Sequence, residues 1–152
     1  IVGEPTNPKK LGEMIKIGRR GSLTAELEIF GTQGHIAYPH LSNNPINTIV
    51  KICYELKKKK LDKGNKNFQP SNLEFTSIYV DNNAYNVIPA EAKAQFNIRF
   101  NNFHTANTLK KKIFTKKNIM IGTLGLAVPV VDLFVSVTVI TFAAGLATVK
   151  SA

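Results

Sequence analysis

The sequence predicts an α+β fold, a ferredoxin-like split βαβ topology in which two helices pack against one antiparallel sheet. Strand-like and helix-like segments follow each other in the order strand, helix, strand, strand, helix. The 152 residues are enough for one domain with a hydrophobic core. The last strand of this topology is missing from the pattern. We therefore expect it to be lost or replaced, which would leave one sheet edge unpaired.

The first predicted strand covers residues 22–29. Apolar side chains occupy every second position, and the set consists of Leu23, Ala25, Leu27 and Ile29. The intervening positions carry hydroxyl and carboxylate side chains. Period two of this kind is typical of a strand with one buried face.

The first predicted helix begins at Asn44, a good N-cap, which is followed by Pro45 in the first turn. Helical spacing then continues to the breaker at residues 62–64, and its apolar face consists of Ile46, Ile49, Val50, Cys53 and Leu56. We expect Cys53 to be a buried structural thiol.

Two more strands and a second helix complete the pattern. Residues 73–80 and 92–100 are rich in β-formers, and the turn-forming residues 81–84 follow the first of them, so we expect a hairpin-like antiparallel pair. After Phe103, a shorter helix carries Leu109, Ile113 and Phe114 on its apolar side.

The chain is strongly basic, with a formal net charge of +10, and 17 of its 20 basic residues are lysines. Lysine runs at residues 57–60 and 110–112 have no aromatic residues interleaved, as a stacking platform for bases requires. We therefore expect solvated helix faces and no nucleic-acid partner.

The single cysteine excludes an internal disulfide framework and fits a reducing compartment. Residues 1–12 contain charged residues and prolines in place of the apolar core of a signal peptide. Together these features predict a cytoplasmic location.

The seven residues 34–40, with the sequence GHIAYPH, lie between the first strand and the first helix. Glycine gives the backbone freedom at the entry, and Pro39 restricts it at the exit. Such a loop is suited to presenting the imidazole of His35 to a ligand.

Four further motifs accompany this loop: IVGEPT at residues 1–6, GRRGSLT at 18–24, NVIPAE at 86–91 and QFNIRF at 95–100. In this order and spacing, over residues 1 to about 115, the set resembles the co-catalytic zinc amidohydrolase family. The GRRGSL and GHIAYPH runs resemble the succinyl-diaminopimelate desuccinylase branch in particular. The family's smaller lid domain, which dimerises, has the topology predicted above.

The resemblance implies hydrolysis of the amide of N-succinyl-LL-diaminopimelate to succinate and LL-diaminopimelate, a step in diaminopimelate and lysine biosynthesis. It also implies two zinc ions, with cobalt as a substitute, in the intact enzyme. Glu4 matches a carboxylate zinc ligand, whereas the other ligands and the general-base glutamate have no match in this chain. We therefore expect a fragment that is inactive alone and that binds no metal by itself.

The resemblance further assigns roles to five side chains. His35 matches the histidine that reaches the partner subunit's active site and stabilises the tetrahedral oxyanion. Arg19 and Arg99 match positions that bind substrate carboxylate, and Tyr38 and Asn86 match neighbouring hydrogen-bonding positions. A homodimer formed through the lid domain is the implied assembly.

Residues 1–115 are accordingly predicted to be the lid domain, with residues 1–12 as the end of a catalytic-domain strand. Residues 116–152 form an apolar tail outside the family pattern, and Asp132 is the one charged residue between 119 and 149. We attribute the tail to a change of reading frame between residues 115 and 122. A membrane-associated tail is the alternative, disfavoured by Asp132 and Pro129 near its middle.

Other interpretations stay open at this point. The parent could be an acetylornithine deacetylase-like enzyme or a dipeptidase, or the chain could be a non-catalytic dimerisation module or a basic membrane-associated peptide. The sequence also departs from the desuccinylase branch at Tyr85, where the branch has asparagine.

Overall fold

The computed structural model describes residues 9–10, 18–113 and 134–140, the last range through its backbone pairing. The strands are β1 Gly21–Phe30, β2 Gly34–His35, β3 Asn72–Tyr79, β4 Val87–Ile88, β5 Glu91–Phe100 and β6 Phe134–Ile140, and the helices are α1 Pro45–Lys57 and α2 Ala106–Ile113. The main sheet is antiparallel with the order β3-β5-β1-β6, and β2 pairs with β4 in a separate ribbon. An α+β fold with an antiparallel sheet and two helices was predicted, and it is confirmed.

The centre of the sheet is the β1–β5 pair, in which all ten residues of each strand have a partner. Leu23 lies opposite Ile98, and Leu27 lies opposite Ala94, so the apolar halves of both strands share one face. That face is buried under the helices and forms one core cluster with α1 and α2, whose fully buried large side chains are Phe96, Leu23, Ile29, Ile49, Ile98, Leu109 and Ile113. The predicted pairing of the second and third strands is also confirmed, as β3 with β5.

Helix α1 starts as predicted but ends earlier. The Asn44 side chain accepts a hydrogen bond from the Ile46 N–H at 2.9 Å, which satisfies one of the free donors of the first turn. The last helical residue is Lys57, so the residues before the breaker at 62–64 lie outside the helix. Cys53 is buried as expected, and burial raises the pKa of its thiol to about 11.

The placement of Val50 on the buried face of α1 was wrong. Its side chain is 55% exposed, and Tyr54, one turn further on, is 59% exposed. Ile52 occupies the core instead. The apolar stripe of the helix is thus wider than the core, and one part of it faces outward.

The fourth strand position is occupied by the apolar tail, so the expectation of an unpaired edge on β1 was wrong. β6 pairs with β1 over seven residues, with Val137 opposite Leu27 and Thr138 opposite Glu26. Alternate positions of the tail therefore lie opposite buried and partly exposed positions of β1. The prediction was that the last strand of the topology is lost or replaced. It is replaced, by residues 134–140, which lie outside the motifs of the family resemblance.

The apolar tail, for which membrane association was the disfavoured alternative, lies mostly outside the described residues, and its part at 134–140 is strand β6. Among the helices that the structure describes, none is long and apolar enough to cross a bilayer. Phe114, predicted on the second helix, also falls outside the described range.

Asp62 ties the connection between α1 and β3 to the end of β5. Its Oδ1 accepts hydrogen bonds from the Gly64 N–H at 2.7 Å, the Asn101 amide at 2.7 Å and the Ser71 N–H at 3.2 Å. His104 Nε2 lies 3.2 Å from Asp62 Oδ2, which is within ion-pair distance. The two atoms do not form a hydrogen bond. Burial would raise the pKa of this carboxyl, but the hydrogen bonds from Ser71, Gly64 and Asn101 outweigh it and lower the pKa to about 2.

The lowered pKa predicts an acid-sensitive contribution to stability. The folded-state pKa of Asp62 lies below the ordinary value of 3.8. The contribution to stability is therefore fully present when the pH is above 3.8, and it is lost as the pH falls toward 2. In urea unfolding, the native chain should lose about 2 kcal/mol more than Asp62→Asn between about pH 5 and pH 2. Asp81→Asn, which alters an exposed carboxyl, should retain the native slope. An unchanged slope in Asp62→Asn would disprove this role.

Candidate functional site

His35 lies on the small β2–β4 ribbon, outside the main sheet. The antiparallel pairing places His35 opposite Val87, and the Ile36 N–H donates to the Asn86 carbonyl oxygen at 3.0 Å. The ribbon thus brings together two of the predicted site residues, His35 and Asn86. Both side chains are exposed.

The ribbon is anchored to the domain where β1 ends. The Gly31 N–H donates to the Ala90 carbonyl at 2.7 Å, and Thr32 and Asn43 exchange two backbone hydrogen bonds of 3.0 Å each. Ile88 is buried on the domain side of the ribbon, with 8% of its surface exposed. His35 is therefore exposed on a segment whose backbone is held on both sides.

The chain after His35 folds into a short 3₁₀ helix, Pro39–Leu41, which packs back on the ribbon. The Ser42 N–H and hydroxyl both donate to the Pro39 carbonyl, at 3.3 and 3.2 Å. A Cβ atom on Gly34 would lie 2.7 Å from the Ser42 Cβ, closer than real Cβ contacts come. Glycine at position 34 is thus required for this close approach.

The imidazole of His35 is fixed by its own backbone. The Ala37 N–H donates to His35 Nδ1 at 3.1 Å, so Nδ1 acts as an acceptor. In the neutral ring, the proton therefore resides on Nε2, which is left as a hydrogen-bond donor. This arrangement presents an N–H group from an exposed loop.

Tyr38 lies beside this imidazole. Its ring centroid is 6.0 Å from that of His35 and 6.4 Å from that of His40, and 57% of its surface is exposed. Tyr38 is also held through its backbone, because its N–H donates to the His35 carbonyl at 2.9 Å. The structure thus brings His35, Tyr38 and Asn86 to one end of the domain.

The two predicted arginines lie at the opposite end of the sheet. Arg19 precedes the first residue of β1, and Arg99 lies opposite Ser22 near the start of that strand. Since ten residues of extended strand span about 30 Å, the arginines and His35 are separated by about that distance. Both arginines are exposed.

Arg20, which no prediction singled out, anchors this end of the sheet. Its guanidinium donates to the Asn72 side-chain oxygen at 3.1 Å and to the Pro70 carbonyl at 3.5 Å. These bonds join the segment before β1 to the start of β3. Arg20 therefore has a structural role through these two hydrogen bonds. The sequence alone does not show which of the two adjacent arginines has this role.

A metal centre is not found in the part of the chain that the structure describes. No group of three or more histidine, cysteine, aspartate or glutamate side chains in that part is arranged to hold an ion. Glu4, the predicted zinc ligand, lies outside the described residues. The described side chains do not fit the two-zinc site of the resemblance, and we derive no step through it.

A cleft of about 240 Å³ lies beside the ribbon, lined by Gln33, Tyr79, Asp81, Asn82, Pro89, Ala90, Glu91 and Lys93. Lys93 bridges Glu28 and Glu91 at 2.8 Å each, and those carboxylates raise its pKa. The ammonium group of Lys93 is thus already paired with carboxylates. None of the site residues predicted from the sequence lines this cleft.

Comparison with known families decides the affiliation. The family model described as "Peptidase dimerisation domain" matches residues 17–117. The chain belongs to this family. The resemblance to a dimerising lid domain is thereby confirmed.

Individual relatives agree with this family. Over 119 residues the chain is 63% identical to a succinyl-diaminopimelate desuccinylase of Pelagibacter ubique, covering 76% of this chain and 31% of that protein. It is 58% identical to the enzyme of the same name from Rickettsia felis over 113 residues, covering 74% and 30%. A Staphylococcus aureus tripeptidase structure superposes with a TM-score of 0.59 at 17% identity, covering 82% of this chain and 30% of the tripeptidase. The chain thus spans about a third of the length of these relatives.

Two contributors to the site escaped the sequence analysis. The Ala37 N–H is a backbone group, and no residue type announces it. Asn82 was predicted only as part of a turn, but its amide also bonds to β4. The turn chemistry of residues 81–84 was the signal that could have marked it.

Proposed function

We propose that this chain is the dimerisation domain of a succinyl-diaminopimelate desuccinylase. The complete enzyme would hydrolyse N-succinyl-LL-diaminopimelate to succinate and LL-diaminopimelate. Two relatives above half identity carry this name. The four motifs from residue 18 onward, including GHIAYPH, lie within residues 17–117, which the family model matches. The proposal covers the activity of a longer protein, of which this chain contributes one domain.

The contact that supports a catalytic role best is the Ala37–His35 hydrogen bond. It leaves the Nε2–H of His35 as a donor on an exposed loop. When water attacks the succinyl amide, negative charge develops on the carbonyl oxygen. A donor aimed at that oxygen lowers the barrier because it binds the transition state more strongly than the ground state.

The separation of the site residues supports action across a dimer. His35 and the two arginines lie about 30 Å apart in one protomer, which is too far for one small substrate to touch both. We therefore assign His35, Tyr38 and Asn86 to the partner's active site. Arg19 and Arg99 would serve a substrate bound to their own protomer.

The arginines suit the charge of the substrate. Succinyl-diaminopimelate carries carboxylates at both ends, and a guanidinium binds a carboxylate through two parallel hydrogen bonds. Arg99 extends from the polar face of β5 next to Ser22 and Asn72. In this proposal it fixes the orientation of the substrate rather than taking part in bond cleavage.

The remaining parts of the proposal concern mainly the two ends of the chain, which lie mostly outside the described residues. Residues 1–12 would end a catalytic-domain strand with Glu4 as one zinc ligand, and that domain would supply the general base. Residues 116–152 would be a tail outside the family sequence. The free, buried Cys53 is consistent with a reducing cytoplasm, where the enzyme would act.

A partly apolar stripe on α1 and the edge of β3 form the proposed dimer contact. Val50, Tyr54 and Lys57 share one face of α1, and Lys57 donates to the Leu73 carbonyl of β3 at 3.2 Å. Ile78, on the same edge strand, is 55% exposed. β3 is an edge strand of the described sheet, so it can pair with a strand of a second copy.

A chimera tests this function. Residues 18–113 would replace the matching segment of the Pelagibacter ubique desuccinylase. We expect a dimer that hydrolyses the succinyl substrate with kcat within about tenfold of the parent, since the inserted segment contains the proposed site residues of the domain. A folded, dimeric chimera without desuccinylase activity would favour a non-catalytic dimerisation module.

The dimer contact is tested in the same chimera. Tyr54→Glu should convert it to monomers in sedimentation experiments and abolish activity, because a buried unpaired carboxylate opposes association. Lys51→Glu, at an exposed position one residue away from the stripe, should remain dimeric. Monomers with full activity would contradict action across the dimer.

A further inference from the structure

Asn82 links the end of β3 to the ribbon that carries His35. Its side-chain amide donates to the Val87 carbonyl at 2.8 Å, and its side-chain oxygen accepts from the Ala84 N–H at 3.1 Å. Its own N–H donates to the Val80 carbonyl at 3.0 Å. Asn82 is partly buried, whereas Asp81, Asn83 and Ala84 around it are exposed.

The partner of the Asn82 amide is the residue opposite His35. Val87 lies in the two-residue strand β4, whose one strand partner among the described residues is β2. A two-stranded ribbon of this length is not stable by itself in water. A side-chain bond that fixes the Val87 carbonyl therefore contributes directly to the position of the strand bearing His35.

The position of that backbone also determines the state of the imidazole. The Ile36 N–H bonds to the Asn86 carbonyl, immediately before Val87, and the Ala37 N–H bonds to His35 Nδ1. If β4 moves, the 36–86 hydrogen bond weakens, and Ala37 is released from the geometry that selects the Nε2–H form. The side chain of Asn82 thus acts on His35 through β4 and through the backbone of Ile36 and Ala37.

We propose that Asn82 is a positioning residue for His35, which holds the β2–β4 ribbon in the geometry that keeps the imidazole proton on Nε2. The inference deepens the proposed function and rests on it for its catalytic meaning. Its physical content, the state of the His35 ring, can be measured without any substrate.

The test uses the full 152-residue chain, labelled with ¹⁵N, at a pH where the ring is neutral. In the native chain, the two ring nitrogens of His35 should give well-separated signals, one protonated and one not. In Asn82→Ala and Asn82→Asp, the two signals should move toward each other as both tautomers become populated. Amide exchange of Ile36 should become about fivefold faster, the loss expected for one hydrogen bond.

The variants separate positioning from simple damage to the turn. Asn82→Asp keeps the oxygen that caps Ala84 and replaces the donor to Val87 by a carboxylate oxygen, which repels the Val87 carbonyl. This variant remains informative if Asn82→Ala does not fold. Asn83→Ala, in the same turn, should leave both readouts unchanged. Native His35 signals in folded Asn82→Asp, or equal changes in Asn83→Ala, would overturn the inference, as would global unfolding of both Asn82 variants.

This outcome is distinguishable from failure of the proposed function. Altered ring signals in Asn82→Asp establish positioning even if the chimera has no desuccinylase activity. Native ring signals reject positioning even if the chimera is fully active.

Discussion

Replacing His35 by alanine in the chimeric desuccinylase should lower kcat by about 10²-fold or more and leave the unfolding transition unchanged. The side chain is exposed on the β2–β4 ribbon and lies outside the core cluster, so its removal costs little stability. The loss should appear mainly in kcat, because the charge that the Nε2–H stabilises exists only in the transition state.

His40→Ala is the matched control for this experiment. It removes a second exposed imidazole from the same loop, five residues away, and should change kcat little. A chimera with His35→Ala, mixed with one that lacks the general base, should regain part of the activity in heterodimers, since the proposed donor crosses between subunits. An unaffected kcat, or a variant that unfolds, would show that His35 is a structural residue.

The elements that the sequence predicted well are those whose pattern the core itself imposes. β1, β5 and α1 each carry a long run with one clear period, and the burial of Leu23, Phe96 and Ile49 follows it. The assignment of Val50 failed because helical spacing marks an apolar stripe without saying what covers it. An apolar stripe on a helix can face the core of its own domain or a partner surface.

The candidate site was predictable only in part, because its strands are very short and because one of its key groups is a backbone N–H. The motif identified His35, but the ribbon that carries it consists of two-residue strands, too short for any periodic signal. The proton position on the imidazole depends on a backbone N–H from Ala37, which any residue other than proline would supply. The sequence therefore shows which side chain is present, but it does not show which nitrogen of the imidazole carries the proton.

The fourth strand was not predicted, because the alternation of its residues lies within a longer segment that is apolar throughout. Residues 119–149 are apolar overall, which indicated a tail or a membrane segment, yet 134–140 read FVSVTVI with valine at every second position. This alternation matches the register on β1, since positions 135, 137 and 139 lie opposite Ile29, Leu27 and Ala25. Period two within a uniformly apolar region was the available signal.

The register predicts opposite outcomes for lysine at two adjacent tail positions. Position 137 lies opposite Leu27, which is 3% exposed, and position 138 lies opposite Glu26 on the polar side of β1. Val137→Lys should therefore destabilise the full chain by roughly 2 kcal/mol or more, because a charge would be placed opposite a buried leucine. The midpoint of thermal unfolding should fall by about 10 °C. Thr138→Lys should stay within about 0.5 kcal/mol of the native chain, since a lysine opposite a glutamate is a favourable cross-strand pair.

Equal effects of the two lysines would show that β6 does not hold this register. Deleting residues 118–152 provides an independent comparison, because it removes β6 and exposes the backbone of β1 from Thr24 to Phe30. We expect the shortened chain to aggregate or to lose its cooperative transition, as an exposed edge next to an apolar core face promotes association. The opposite result, a shortened chain that is more soluble and equally stable, would show that the domain does not need the tail. Because the valine positions match the buried side of β1, we expect the tail to be part of the folded sheet.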